Sequence, residues 1–132
     1  MSGIVVAWSP DEFGRAALEA ALVEAQRRGT SVVVVNGTKG DALVDDHFAS
    51  GTQLDGVEGL LAGSGVPHEV RQTMGHDIAE QVLGVADEVA AELVVIGLRR
   101  RSPVGKLIMG STSQRVLLGA HCPVLAVKPT AR

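Results

Sequence analysis

The chain has 132 residues, enough for one domain with a sizeable core. With 45% hydrophobic and 20% charged residues it is not a disordered chain, and its three aromatics (Trp8, Phe13, Phe48) leave the core to Val, Leu, Ile and Ala. A net charge of −3 argues against nucleic acid as the main partner, and no apolar run approaches the roughly 18 residues that span a bilayer.

The first apolar run, Ile4–Trp8, does not alternate with polar residues and reads as a strand buried on both faces, as in a parallel sheet between helical layers. A helix is expected over Asp11–Arg28, where Ala17/Ala21/Ala25 and Leu18/Leu22 recur at four-residue spacing. Ser9 is the expected N-cap, with Pro10 in the first helical position and Glu12 completing a capping box; Gly29 stops the helix. Val32–Val35 forms the second strand. Residues 37–53 are polar and glycine-bearing and read as a surface loop, followed by a short helix over Leu54–Ala62. Val66–Arg71 is a more polar strand whose Pro67 places it at an edge. A second long helix spans Asp77–Ala91, with Ile78/Val82/Ala86/Ala90 on one face. Leu93–Ile96 is the fourth strand, a helix starts at Ser111 with Gln114 as capping partner, and Val124–Val127 closes the chain as the fifth strand.

This order predicts an α/β fold over residues 1–132: a single doubly wound domain with a five-stranded, mostly parallel sheet and helices on both faces. Right-handed crossovers and one reversal give the strand order 3-2-1-4-5. Ligands bind at the carboxyl ends of the strands flanking such a reversal, here Trp8-Ser9-Pro10 and Gly97–Gly110.

The chemistry of the second segment agrees with that placement. Gly97 is followed by a basic loop, Leu98 to Lys106, with Arg99, Arg100, Arg101 and Lys106 as cations. Gly110-Ser111-Thr112-Ser113 then opens a helix, whose free N–H groups attract anions. The plain alternative is a glycine that ends a strand, a solvated charge run and a serine that only caps a helix. The loop between the two glycines makes a phosphate cradle the better reading. Neither G-x-x-x-x-G-K-[ST] nor a G-x-G-x-x-G after the first strand is present. His47, His68, His76, His121 and Cys122 lack metal-ligand spacing, and no nucleophile–base constellation can be argued. Neither a metal site nor catalytic machinery is therefore expected. The lone Cys122 reads as a small hydrophobe and excludes an internal disulfide.

Residues 97–127 resemble the universal stress protein family. The family signature of Gly, two residues, Gly, nine residues, Gly, then Ser or Thr is matched by Gly97-Leu98-Arg99-Arg100, nine residues, and Gly110-Ser111. The closing Cys122-Pro123-Val124-Leu125-Ala126-Val127 is similar to the family's last strand. The resemblance implies an adenine nucleotide, ATP first and with Mg²⁺ as a potential companion ion, in the crevice between the first and fourth strands. It sets the backbone of Ala7, Trp8 and Ser9 beside the ribose and the main chain of Gly37 beside the adenine. It surrounds the phosphates with Gly97, Leu98, Arg99, Arg100, Lys106, Gly110, Ser111, Thr112 and Ser113.

Two positions depart from the pattern. Arg100 stands at the second signature glycine, where it is either strained or a bidentate phosphate ligand. Ser9 replaces an aspartate that would accept from a ribose hydroxyl. The expected function is a cytoplasmic stress-response sensor or regulator, not an efficient enzyme, with slow ATP hydrolysis left open. The alternative is a dimeric interaction module whose site Arg100 has closed. An ATP-dependent ligase-type enzyme ranks third, because the glycine-rich loop after the first strand is missing. Under either of the first two readings a homodimer is expected through the apolar strand 122–127.

Overall fold

A computed structural model describes residues 3–38, 51–75, 77–100, 107–108 and 110–129. In chain order the elements are β1 (Gly3–Ala7), α1 (Glu12–Arg28), β2 (Ser31–Thr38), α2 (Gly51–Ser64), β3 (His68–Met74) and α3 (Ile78–Glu88). There follow β4 (Leu93–Gly97), β5 (Arg99–Arg100), β6 (Leu107–Ile108), α4 (Ser111–Gly119) and β7 (Val124–Val127). The main sheet runs β3-β2-β1-β4-β7, all neighbours parallel, which is the order 3-2-1-4-5 expected of its five strands.

The alternation of each strand divides its side chains between two cores. Ile4, Val6, Val32, Val34, Leu93 and Val95 face α1 and α2, where Ala17, Leu18, Ala21, Leu22, Ala25, Val57 and Leu61 cover them. Val5, Val33, Val35, Val94 and Ile96 face α3 and α4, against Ala79, Val82, Val85, Ala86 and Val116. Apolar burial on both faces explains the unbroken hydrophobic runs.

Several boundaries differ from the sequence reading. The N-cap of α1 is Asp11, not Ser9: its carboxylate accepts from the Gly14 N–H at 2.9 Å, while the Ser9 hydroxyl donates to the same carboxylate at 2.9 Å. A carboxylate is the stronger partner for the helix dipole, so Ser9 becomes its support and Pro10 stays outside the helix. Likewise α4 is capped at Gly110 without a side-chain bond, and Ser111 is its first residue. Gly37 and Thr38, assigned to a loop, extend β2 together with Asn36, and α2 is longer than expected at both ends. β3 lies further along than Val66–Arg71, yet at the edge. The segment after Gly97 is partly ordered as an antiparallel ribbon, with Arg99 opposite Ile108 and Arg100 opposite Leu107. The helix expected to reach Ala91 ends at Glu88, followed by Ala90 at a positive φ of 52°.

Candidate functional site

The registers of the sheet leave a notch above β1. Pairing of β1 with β2 ends at Ala7 opposite Val35, whereas β2 continues against β3 as far as Thr38 opposite Met74. On the other side β1 pairs with β4 up to Val6 opposite Val95, whereas β4 continues against β7 to Gly97 opposite Val127. Both neighbours outrun β1 at its carboxyl end. Ala7, Trp8 and Ser9 form the floor of the notch, Asn36–Thr38 one wall, and Ile96–Gly97 the other. This is the topological reversal at which doubly wound sheets bind ligands.

The floor is firmly held. The Trp8 N–H donates to Val35 O at 2.9 Å, and Trp8 O accepts from the Asn36 side-chain amide at 3.2 Å. Ser9 O lies against Gly14, where an added Cβ would stand 1.9 Å away, so that glycine is required for α1 to start beneath the notch. Trp8, Asp11 and Arg15 also line a cleft of about 560 Å³ that opens toward Val57 and Leu60 of α2.

The wall at Gly97 meets α4. The Ser113 hydroxyl donates to Gly97 O at 3.4 Å, which brings the first turn of α4 to the end of β4. Asp77 fixes that helix from the side: it caps α3 through the Ala79 and Glu80 N–H groups and pairs with Arg115 of α4. The α4 start therefore differs from those of α1 and α3, which carry carboxylate caps. Gly110 offers no side-chain cap to the first N–H groups, and among the described residues a Cβ there would meet nothing within 4 Å. The N–H groups of a helix start are donors of the kind that anions take.

The glycines separate by role. Gly97 touches α1: a Cβ would sit 2.6 Å from Phe13 O. Gly37 touches α3, with a Cβ 2.8 Å from Gln81 Oε1. Both are packing glycines whose main chains still line the notch, whereas Gly110 packs against none of the described residues. The structure thus gathers Ala7, Trp8, Ser9, Gly37, Gly97, Leu98, Gly110, Ser111, Thr112 and Ser113 around one end of the sheet. Arg99 and Arg100 form β5 of the ribbon, opposite Ile108 and Leu107. Arg101 and Lys106 lie outside the described residues, as do His47 and His76. Sequence reasoning missed Asn36, a buried polar residue that ends an otherwise apolar run. That interruption was its only signal.

Among the described residues no group of three His, Cys, Asp or Glu side chains could hold a metal, and no helix is long and apolar enough to cross a membrane. Burial pushes the Cys122 thiol above its ordinary pKa, with Asp87 adding to the effect, which disfavours the thiolate a nucleophile needs.

Comparison with known proteins places this geometry. Residues 1–128 match the model of the universal stress protein family. The chain is 53% identical over 126 residues to a universal stress protein of Mycolicibacterium smegmatis, spanning 96% of this chain and 97% of that one. A solved universal stress protein from Archaeoglobus fulgidus superposes with a TM-score of 0.82 at 32% identity, covering 97% of this chain and 99% of the other. A universal stress protein structure from the same organism, in complex with dAMP, gives 0.78 at 27% identity, covering 97% and 98%. The chain belongs to the universal stress protein family.

Proposed function

We propose that the chain binds an adenine nucleotide, ATP first, in the notch above β1, and works as a cytoplasmic sensor or regulator rather than an enzyme. The observation that carries this reading is the start of α4 at Gly110, without a side-chain cap, open on its Cα side among the described residues and tied to β4 beside the notch. The dAMP complex of the Archaeoglobus fulgidus relative supports an adenine nucleotide as the ligand class. The phosphates would rest on the N–H groups of Ser111, Thr112 and Ser113, with Arg99, Arg100 and Lys106 supplying charge and Mg²⁺ accompanying the nucleotide where it carries three phosphates. The ribose would lie over Trp8 and Ser9. The adenine would lie beside Gly37, on the side of β2 that projects past β1. With the Ser9 hydroxyl engaged by Asp11, sugar contacts would fall to the main chain.

The homodimer belongs to the same proposal. Among the described residues strand β7 pairs only with β4, and its Val124–Val127 run carries no charge, while the opposite edge, β3, is guarded by Arg71 between Glu69 and Glu88 at 2.8 and 2.9 Å. Those hydrogen bonds raise the Arg71 pKa further, so its charge is permanent. An apolar edge facing a second copy would form an isologous antiparallel seam. Mass spectrometry of acid-released small molecules from purified protein tests the ligand class: an adenine nucleotide is expected, and a different bound metabolite in its place would overturn the assignment.

A further inference from the structure

The β1 end of the notch is held by a side chain where the main-chain ladder has stopped. Asn36 is fully buried on the α1–α2 face of β2, one residue beyond the last β1–β2 pair. Its Nδ2 donates to Trp8 O at 3.2 Å, and its Oδ1 accepts from Gln72 Nε2 of β3 at 3.0 Å. Together with the Trp8 N–H bond to Val35 O, this fixes the Trp8 residue at both its donor and its acceptor. A peptide leaving a sheet would otherwise turn its carbonyl to solvent or to a ligand.

We infer that Asn36 is a positioning residue: it clamps the Trp8 carbonyl against β2 and so sets the shape of the notch floor on which the sugar and base rest. The inference rests on the nucleotide reading for its functional half only; the clamp itself is a property of the free protein. Gln72 orients the amide. By holding Asn36 Oδ1, it directs Nδ2 toward Trp8. A leucine at 36 would leave the Trp8 carbonyl without its donor, and aspartate would set a carboxylate against it. Asn36 does not touch the ligand. It decides where the Trp8–Ser9 main chain stands when the ligand arrives.

The test compares wild type, Asn36→Asp and Gln72→Leu by calorimetric titration with ATP, by emission of the single tryptophan in the free protein, and by amide exchange at Trp8. The clamp predicts a protected Trp8 amide in wild type. It also predicts a red-shifted emission and at least tenfold weaker ATP binding in Asn36→Asp, with a smaller change in Gln72→Leu. Wild-type binding retained within twofold in a folded Asn36→Asp variant would overturn the inference while leaving the nucleotide reading intact. If wild type binds no nucleotide, that reading fails, and the functional half of the inference falls with it. The free-protein half is decided separately, by a shifted emission for the clamp and an unshifted one against it. Should Asn36→Asp not fold, Gln72→Leu decides: tryptophan emission and ATP affinity both unchanged from wild type overturn the clamp.

Discussion

Replacing Gly97 by Ala and Gly110 by Val should produce opposite results, because the two signature glycines face different things. At Gly97 a Cβ would stand 2.6 Å from Phe13 O and 3.1 Å from Phe13 C and Cβ, and the closest of these is backbone, which cannot swing away as a side chain could. Either α1 retreats or β4 bends, and overpacking of this kind costs about 1–3 kcal/mol. For a domain of this size that lowers Tm by roughly 3–12 °C. Gly110 has φ −68° and ψ 162°, a conformation open to any residue, and none of the described residues lies within 4 Å of the added carbon. Gly110→Val gives up a favoured N-cap residue, worth about 1 kcal/mol or less, so Tm falls by under about 4 °C. Its branched side chain, however, occupies the approach to the α4 N–H groups, and ATP affinity should fall at least about tenfold, the equivalent of ~1.4 kcal/mol. Thermal melts and calorimetric titrations of both variants provide the assay. A Gly97→Ala protein as stable as wild type, or a Gly110→Val protein that binds ATP normally, would refute the division of roles.

Three further outcomes follow from particular residues. Ala90 sits at φ 52° where α1 and α2 are followed by Gly29 at 66° and Gly65 at 75°, and the N–H groups of Ala90 and Ala91 close the end of α3 onto Asp87 O and Ala86 O. Relief of ~1–2 kcal/mol of left-handed strain, less ~0.5–1 kcal/mol of glycine entropy, should make Ala90→Gly more stable, and a lower Tm in thermal melts would contradict this. Leu125→Lys places a charge in the seam proposed along β7, so light scattering on dilution should show monomer where wild type is dimeric; a fully dimeric variant would discard that seam. Arg100→Gly should weaken ATP binding by about tenfold through loss of a charge-assisted contact; tighter binding would show that the arginine obstructs the site.

The sheet order was legible because each central strand is apolar on both faces, and the helices because their small and apolar residues repeat at four-residue spacing. The notch was legible only as a topological expectation. Its walls are built by Asn36-Gly37-Thr38 and Gly97, residues that in sequence look like loop, since neither polarity nor glycine content reveals that β3 and β7 continue to pair with them. The caps failed for a related reason. Ser9 and Asp11 are both competent, and only the position of Gly14 against Ser9 O decides that Asp11 is used. Gly97 shows the limit most clearly: a signature glycine can mark close approach to a ligand or to Phe13, and the sequence alone does not distinguish the two. Asn36 carried a signal, a polar residue closing an apolar run, but its partner Trp8, just past β1, is 28 residues away.

The central claim is that one adenine nucleotide occupies the notch above β1 in each chain. Calorimetric titration of the wild-type protein, freed of bound small molecules, with ATP, ADP and AMP, each with and without Mg²⁺, tests it most directly. The account predicts saturable binding of at least one of them at one site per chain, with quenching or shift of Trp8 emission at the same midpoint. No heat and no change in Trp8 emission with any of the three at millimolar concentration would contradict it.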